Sequence, residues 1–380
     1  MDFTLTHEQR MMVDTTRRLN EEVLQPILDA HPCHRSLPKA ATKEVLQHLA
    51  QLGLTAARLP EFAGGPGLSA LDYGLMCEQL SPTVAFILLP HETTITRLHH
   101  GCSEIQRERW MRELISAERI ICTAATEPDT GSDPRGVRAR IRRQAGRLVL
   151  NGQKMWISNG SVADLVNVTC LDEQGVLVRV IVDRQQSAFE VKEIPMMGLQ
   201  QCHLSELSFA DCCIPFDNLI EGTGDAAKVL TLTWLANRPI IGLSAVSLAQ
   251  RAFEAAQEYA MTRRQFGREI GKFQLIQQQL ADIETEISAS RLLCYSALAA
   301  IDRGERANGV SAMAKRFAVS ACERAIALSM QVHGSMGLSQ ELGLEQMARD
   351  VRMLSIPDGT PEILTLIQGR EITSYDAFRA

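Results

Sequence analysis

The sequence predicts an α+β protein in three segments, helical, then β, then helical. Three observations carry this reading. The first ~115 residues place apolar side chains at helical spacing between capping and turn residues. Residues 118–220 switch to short β-prone runs. No proline occurs between Pro239 and Pro357, which leaves room for several long helices. The expected boundaries are 1–117 for an N-terminal helical domain, 118–222 for a middle domain built on an antiparallel sheet or barrel, and 223–380 for a C-terminal helical bundle.

Thr6 is expected to cap the first helix, with Glu8 and Gln9 in its first turn. Met11, Met12, Leu19, Val23 and Leu24 fall roughly on one face. A second helix is expected from Ala41 to Leu54, on Val45, Leu46, Leu49 and Leu52. Gly64, Gly65 and Gly67 mark a loop; no Gly-Lys-Ser/Thr follows, so they do not read as a phosphate loop. Helical patterning resumes near Ser69. In the middle segment Arg147-Leu148-Val149-Leu150 and Lys154-Met155-Trp156-Ile157 flank Asn151-Gly152, which predicts a hairpin turn there. Strands are expected at Leu165 to Val168, Val176 to Val182, Phe189 to Val191 and Leu204 to Phe209. In the last segment Ile276, Leu280, Ile283 and Ile287 form one helical stripe, and the pattern reads as a bundle.

Composition narrows the function. The chain has 380 residues, 39 basic against 45 acidic, and 5% aromatics. A net charge of −6 without a basic stripe argues against nucleic acid and against an anionic membrane surface. The ten cysteines are scattered without C-x-x-C and read as reduced core residues. His31, Cys33 and His34 cluster but lack a second ligand pair, so no metal is expected. The amino terminus shows no apolar signal region, and no stretch approaches the length of a membrane span. A cytoplasmic, soluble protein is expected.

Five segments carry more specific information. Ala125-Thr126-Glu127-Pro128-Asp129-Thr130-Gly131-Ser132-Asp133 has the pattern T-E-P-x-x-G-S-D. Asn151-Gly152-Gln153-Lys154-Met155-Trp156-Ile157-Ser158-Asn159 has N-G-x-K-x-W-I-S-N. Arg263-Arg264-Gln265-Phe266-Gly267, followed by Phe273-Gln274, has R-x-x-F-G…Q. Gln331-Val332-His333-Gly334-Ser335-Met336-Gly337 is close to Q-x-x-G-G-x-G, with Ser335 in place of the second glycine. Arg349-Asp350 and Asp358-Gly359-Thr360-Pro361-Glu362-Ile363 are close to R-D…E-G-T-x-E-I. In this order, across the whole chain, the segments resemble those of the flavin-dependent acyl-CoA dehydrogenase family, whose fold is also α–β–α.

The resemblance implies FAD as cofactor and assigns roles. Thr126 would donate to the flavin ring, Trp156 would cover its dimethylbenzene side, and Ser158 would bond a phosphate or the ring edge. Arg263, Phe266, Gln274, Gln331 and Gly334 would reach the FAD of a neighbouring subunit, and Thr360 and Glu362 would complete the cofactor contacts. Ser132, Arg238 and Gly359 would face the thioester substrate. Such shared sites imply a homodimer or homotetramer.

The chemistry explains why these parts are needed. Removing an unactivated β-hydrogen as hydride requires an electron sink that no side chain supplies. The α-proton needs a polarised thioester carbonyl and a carboxylate on the face opposite the flavin. The family's glutamate is here Asp358, one methylene shorter. Misplacing a reacting group by about 1 Å can cost on the order of 10²-fold, so backbone or substrate must sit closer, or the base lies elsewhere. Some relatives carry the base on the helix that here holds Asn237, which accepts no proton usefully. Asp358 is therefore assigned as the base. The expected activity is conversion of acyl-CoA to trans-2-enoyl-CoA, as in fatty-acid β-oxidation, with electrons passed to an electron-transfer flavoprotein. A carrier-protein thioester as substrate, a flavin oxidase or monooxygenase of the same fold, and a non-catalytic relative remain open.

Overall fold

The computed structural model describes residues 4–133, 136–220 and 226–375. Six helices precede the sheet. α1 (His7–Leu19) starts on a capping box in which the Thr6 hydroxyl accepts from Gln9 N and the Gln9 side chain accepts from Thr6 N. A π-helical turn (Asn20–Leu24) joins it to α2 (Gln25–Asp29). α3 (Lys39–Gln51) buries Val45, Leu46 and Leu49. The glycine loop follows; a Cβ at Gly65 would lie 2.4 Å from the carbonyl oxygens of Ala56 and Leu59, so only glycine fits there. Ser69 caps α4 (Ala70–Glu78), Ser81 caps α5 (Pro82–Gly101), and Ser103 caps α6 (Glu104–Ile115). α5 is buried on nearly every side, including the polar residues His91, Glu92, Thr93, Thr96 and Arg97.

The middle sheet has eight strands: β1 (Ile121–Ala124), β2 (Arg140–Gln144), β3 (Arg147–Ser158), β4 (Leu165–Leu171), β5 (Leu177–Asp183), β6 (Glu190–Glu193), β7 (Leu204–Pro215) and β8 (Leu219–Ile220). Their order is β6-β7-β3-β2-β4-β5-β8, with β1 on β4. Two results differ from the sequence reading. The sheet is mixed, because β1 pairs parallel with β4, and β2 touches β4 in parallel at Arg140 and Leu171. β1 and β4 enter together: Ile120 O accepts from Asp164 N and Leu165 N. β4 is buried on both faces, so no alternation in its sequence marks the pairing.

The second difference is a correction. Asn151-Gly152 is not a hairpin turn but lies inside β3, at a register shift opposite β7. Gly152 has φ 145°, and a Cβ there would stand 2.6 Å from that of Ala139. The hairpin turn is Ala145-Gly146, between β2 and β3, with φ of 49° and 75°.

The bundle consists of α7 (Ala226–Thr262), α8 (Gln274–Asp302), α9 (Asn308–His333), α10 (Leu344–Met353) and α11 (Pro361–Thr373). A small hairpin, β9 (Arg264–Gln265) and β10 (Arg268–Glu269), links α7 to α8. One continuous core runs from α1–α5 into α7–α10, with Ile283 and Ile287 of the predicted stripe inside it. The sheet has a core of its own. A third cluster, with Ile95, Leu98, Trp110 and Ile181, packs α5 and α6 against the sheet.

Candidate active site

The turn between α10 and α11 is shaped by left-handed backbone, φ 54° at Asp358 and 116° at Gly359. Thr360 then caps α11, accepting from Ile363 N, and Pro361 opens the helix. A non-glycine residue in this region is uncommon and marks a turn held by its surroundings. What holds it is Lys315 of α9. Its buried ammonium donates to the carbonyls of Ser355 (3.3 Å), Pro357 and Gly359 (2.7 Å). Three acceptors match the three hydrogens of the charged form. Burial pushes this lysine down to about 7, while the Asp358 carboxylate pulls the other way.

α7 supplies the rest of the grip. Arg238 Nε donates to Asp358 O at 3.0 Å, and Asn237 Nδ2 donates to Asp358 Oδ2 at 3.1 Å. Burial depresses the Arg238 guanidinium, partly offset by Asp358. The carboxylate is half-buried and fixed at both backbone and side chain. Arg349 and Asp350 act behind it: Arg349 donates to Met197 O at 2.7 Å, and Asp350 accepts from Leu199 N at 2.6 Å. They tie the helix before the turn to the loop after β6.

α5 forms a polar wall beside this turn. Glu92 is fully buried and accepts from Arg58 Nε at 2.9 Å and from the Thr96 hydroxyl at 3.0 Å. Thr93 bonds Asn237 at 3.1 Å, and Arg97 Nε donates to the Thr233 hydroxyl at 2.8 Å.

A second group of predicted residues lies on the sheet. Thr126 O accepts from Met155 N at 3.0 Å, so the 126–133 loop rides against β3. Glu127 anchors that loop: its carboxylate takes Lys154 Nζ at 2.7 Å and the backbone N–H groups of Arg138 and Ala139. Those donors hold it below the ordinary carboxylate value against the opposing cost of burial. Trp156 has φ 63° at the second register shift of β3, and its side chain is 50% exposed. An indole presented outward next to Thr126 is a flat, accessible platform, which fits a planar ring. Ser158 ends the same strand, half-buried, and Ser132 is exposed.

The third group sits elsewhere. Arg263 is exposed at the end of α7, and Phe266, 93% exposed, tips the β9–β10 hairpin with φ 50°. Gln274 opens α8, and Gln331 and Gly334 end α9, all exposed. A small core of Ala256, Ile270, Val332 and Phe273 gathers them at one end of the bundle. Along α7, Arg263 is 25 residues beyond Arg238, about 37 Å at 1.5 Å per residue. Ser335 has no left-handed backbone, so it replaces glycine without strain. Gly337 is required: a Cβ there would lie 2.2 Å from Met330 O.

Three family models match the chain: acyl-CoA dehydrogenase N-terminal domain over 6–118, middle domain over 122–212, and C-terminal domain over 227–373. The chain belongs to the acyl-CoA dehydrogenase family. It is an oxidoreductase, FAD-dependent as that family is, and acts on acyl-CoA substrates. The chain is 33% identical to benzylmalonyl-CoA dehydrogenase of Aromatoleum aromaticum, over 98% of this chain and 100% of the relative. A glutaryl-CoA dehydrogenase structure from Mycobacterium smegmatis superposes with a TM-score of 0.91 at 30% identity, covering 99% and 97% of the two chains. The FAD complex of PigA superposes equally well, TM-score 0.91 at 26% identity, covering 98% and 99%.

Sequence reasoning brought Asp358, Gly359 and Arg238 together. It missed Lys315, Asn237 as a donor, and the α5 wall. Lys315 stands in Ser311-Ala312-Met313-Ala314-Lys315, a cation among small buried residues, and that contrast was the available signal. No membrane-crossing helix is present among the described residues.

Proposed function

We propose that this acyl-CoA dehydrogenase removes the α-proton of an acyl-CoA with Asp358 and yields the trans-2-enoyl-CoA. FAD, when bound, supplies the electron sink that accepts the β-hydride. The observation that carries the reading is the fixed carboxylate. Lys315 holds the carbonyls on either side of Asp358, Arg238 holds the Asp358 carbonyl itself, and Asn237 orients its carboxylate oxygen, so a shorter side chain works from an immobilised turn. Asn237 donates and cannot compete for the proton.

Two separated sets of cofactor candidates support an assembly. Thr126, Trp156 and Ser158 lie on the sheet, with Thr360 and Glu362 at the start of α11. Arg263, Phe266, Gln274, Gln331 and Gly334 lie at the far end of the bundle. One dinucleotide is too short to touch both within a subunit, so the second set would serve the FAD of another copy. Arg263 suits a diphosphate, since its planar fork pairs two oxygens. A homodimer or homotetramer follows, with Ser132, Arg238 and Gly359 facing the thioester and an electron-transfer flavoprotein as acceptor.

The test is anaerobic titration of the holoenzyme with acyl-CoAs while the oxidised-flavin band is followed. Bleaching is expected, with a charge-transfer band from the enoyl product. Asp358→Asn should keep its flavin and lose bleaching by at least roughly 10³-fold. Undiminished bleaching in that variant removes Asp358 from the reaction. A flavoprotein that no CoA ester reduces removes the CoA-ester reading.

A further inference from the structure

Arg97 is an unusual residue to find beside a site for acyl chains. It is 6% exposed, and among the described residues its side chain hydrogen-bonds through Nε to Thr233. The two terminal nitrogens donate to nothing among the described residues. The nearby carboxylates are already engaged. Glu92 is taken by Arg58 and Thr96, and Asp358 by Asn237. Among the described residues no carboxylate forms an ion-pair contact with Arg97; Glu92 pairs with Arg58. A buried cation with no carboxylate in hydrogen-bond contact is costly, so such a group is expected to meet an anion when the site is filled.

Its position relative to the candidate base is fixed by two antiparallel contacts. Thr93 of α5 meets Asn237 of α7, and Arg97, one turn later on α5, meets Thr233, one turn earlier on α7. Four residues of helix are about 6 Å. The free end of the guanidinium therefore lies roughly one helical turn from the point where Asn237 holds Asp358. That is the distance of a group a few bonds beyond the carbon that gives up its proton. Other cations reinforce the field. Arg58 and Arg179 lie close enough to oppose its charge, burial pushes Arg97 down to about 10, and Asp358 is the main counterweight.

We infer that Arg97 is a specificity residue that pairs with a carboxylate on the acyl group, so that the enzyme prefers acyl-CoAs whose chain carries an acid over chains ending in methyl. This deepens the dehydrogenase reading above and rests on its placement of the acyl chain beside Asp358. A bidentate pair between guanidinium and carboxylate would satisfy both free nitrogens at once. A chain ending in methyl would leave the cation buried and unpaired.

The experiment separates binding from chemistry. The flavin-loaded protein is titrated by calorimetry with S-alkyl-CoA thioethers of five and six carbons, each with and without a terminal carboxylate. These lack the carbonyl and cannot react. The carboxylated thioethers should bind roughly 10- to 100-fold tighter to the wild type. Arg97→Gln should erase that preference, and Arg97→Lys should keep part of it. The wild-type comparison needs no variant, so a poorly folding Arg97→Gln does not protect the idea. Equal binding of both thioethers to the wild type overturns it. So does a preference that survives Arg97→Gln, or an equal loss for both ligands, which would put Arg97 on the shared part of the ligand. In parallel, the matching acyl-CoAs are tested for flavin bleaching. Selective binding without bleaching by any of them would sink the dehydrogenase reading and leave this one standing. Bleaching without selectivity would do the reverse.

Discussion

Lys315 makes three hydrogen bonds to carbonyls around Asp358, that of Gly359 among them. Its role is to position the turn. Replacing it with methionine leaves three carbonyls without a donor and lets the Asp358 backbone relax. Lys315→Met is expected to lower kcat by about 10²-fold, the cost of a misplacement near 1 Å. The dissociation constant for acyl-CoA and the flavin content should change little. Stopped-flow bleaching rates, measured well below the melting temperature, check this split. A loss confined to binding would show that Lys315 does not act through Asp358. Asp358 itself was legible in the sequence because Gly359-Thr360-Pro361-Glu362 follows it. Lys315, Asn237 and Arg97 were not, because their partners are 42, 121 and 136 residues away. No local pattern records such distances.

At the scale of elements, β3 shows how a short-range signal can mislead. Asn-Gly favours a tight turn, yet here two β-prone runs fuse into one strand of 12 residues. Both of its edges are occupied, by β2 and β7, and pairing outweighs the turn preference. Gly152 is kept for steric reasons. Gly152→Ala forces a side chain against Ala139 at positive φ, and should destabilise the protein by about 1–3 kcal/mol. The urea midpoint measures this, and an unchanged midpoint would mean that the strand shifts freely. The same strand carries Trp156 at its second irregularity, so loosening it should also loosen flavin retention. Helices were read more faithfully. Thr6, Ser69 and the stripe of Ile283 and Ile287 act locally, within a few residues, where sequence spacing and geometry coincide.

The whole molecule is joined at α5. His91 donates through Nε2 to Leu114 O at 2.9 Å and accepts at Nδ1 from Ile121 N at 3.2 Å. It links α5 to the end of α6 and the start of β1 in a neutral tautomer. Burial pushes it down to about 4. The unfolded chain binds a proton near 6.5 that the folded chain refuses, so this stability is full above 6.5 and is lost as pH falls towards 4. The loss amounts to about 3 kcal/mol by pH 4. His91→Gln can make the same two bonds without titrating. Its urea-unfolding free energy should fall less than that of the wild type between pH 7 and pH 4. Parallel curves for the two proteins would contradict this account of His91.

The order of helical, β and helical segments, the capped helix starts and the five motifs are written in the sequence. Each depends on side-chain spacing within a few turns or strands. Tertiary structure decided the mixed pairing of the sheet, the turn at Ala145-Gly146, and the surroundings of Asp358. It brought Lys315 under the turn and Arg97 one helical turn away from Asn237. It also set Arg263, at the far group of cofactor candidates, 25 residues along the chain from Arg238 at the Asp358 turn. These arrangements arise where distant helices pack, and burial there turns a single lysine or arginine into a specific electrostatic choice. The chain alone identifies the residues that can do chemistry; packing determines which charges meet and which are left for a ligand.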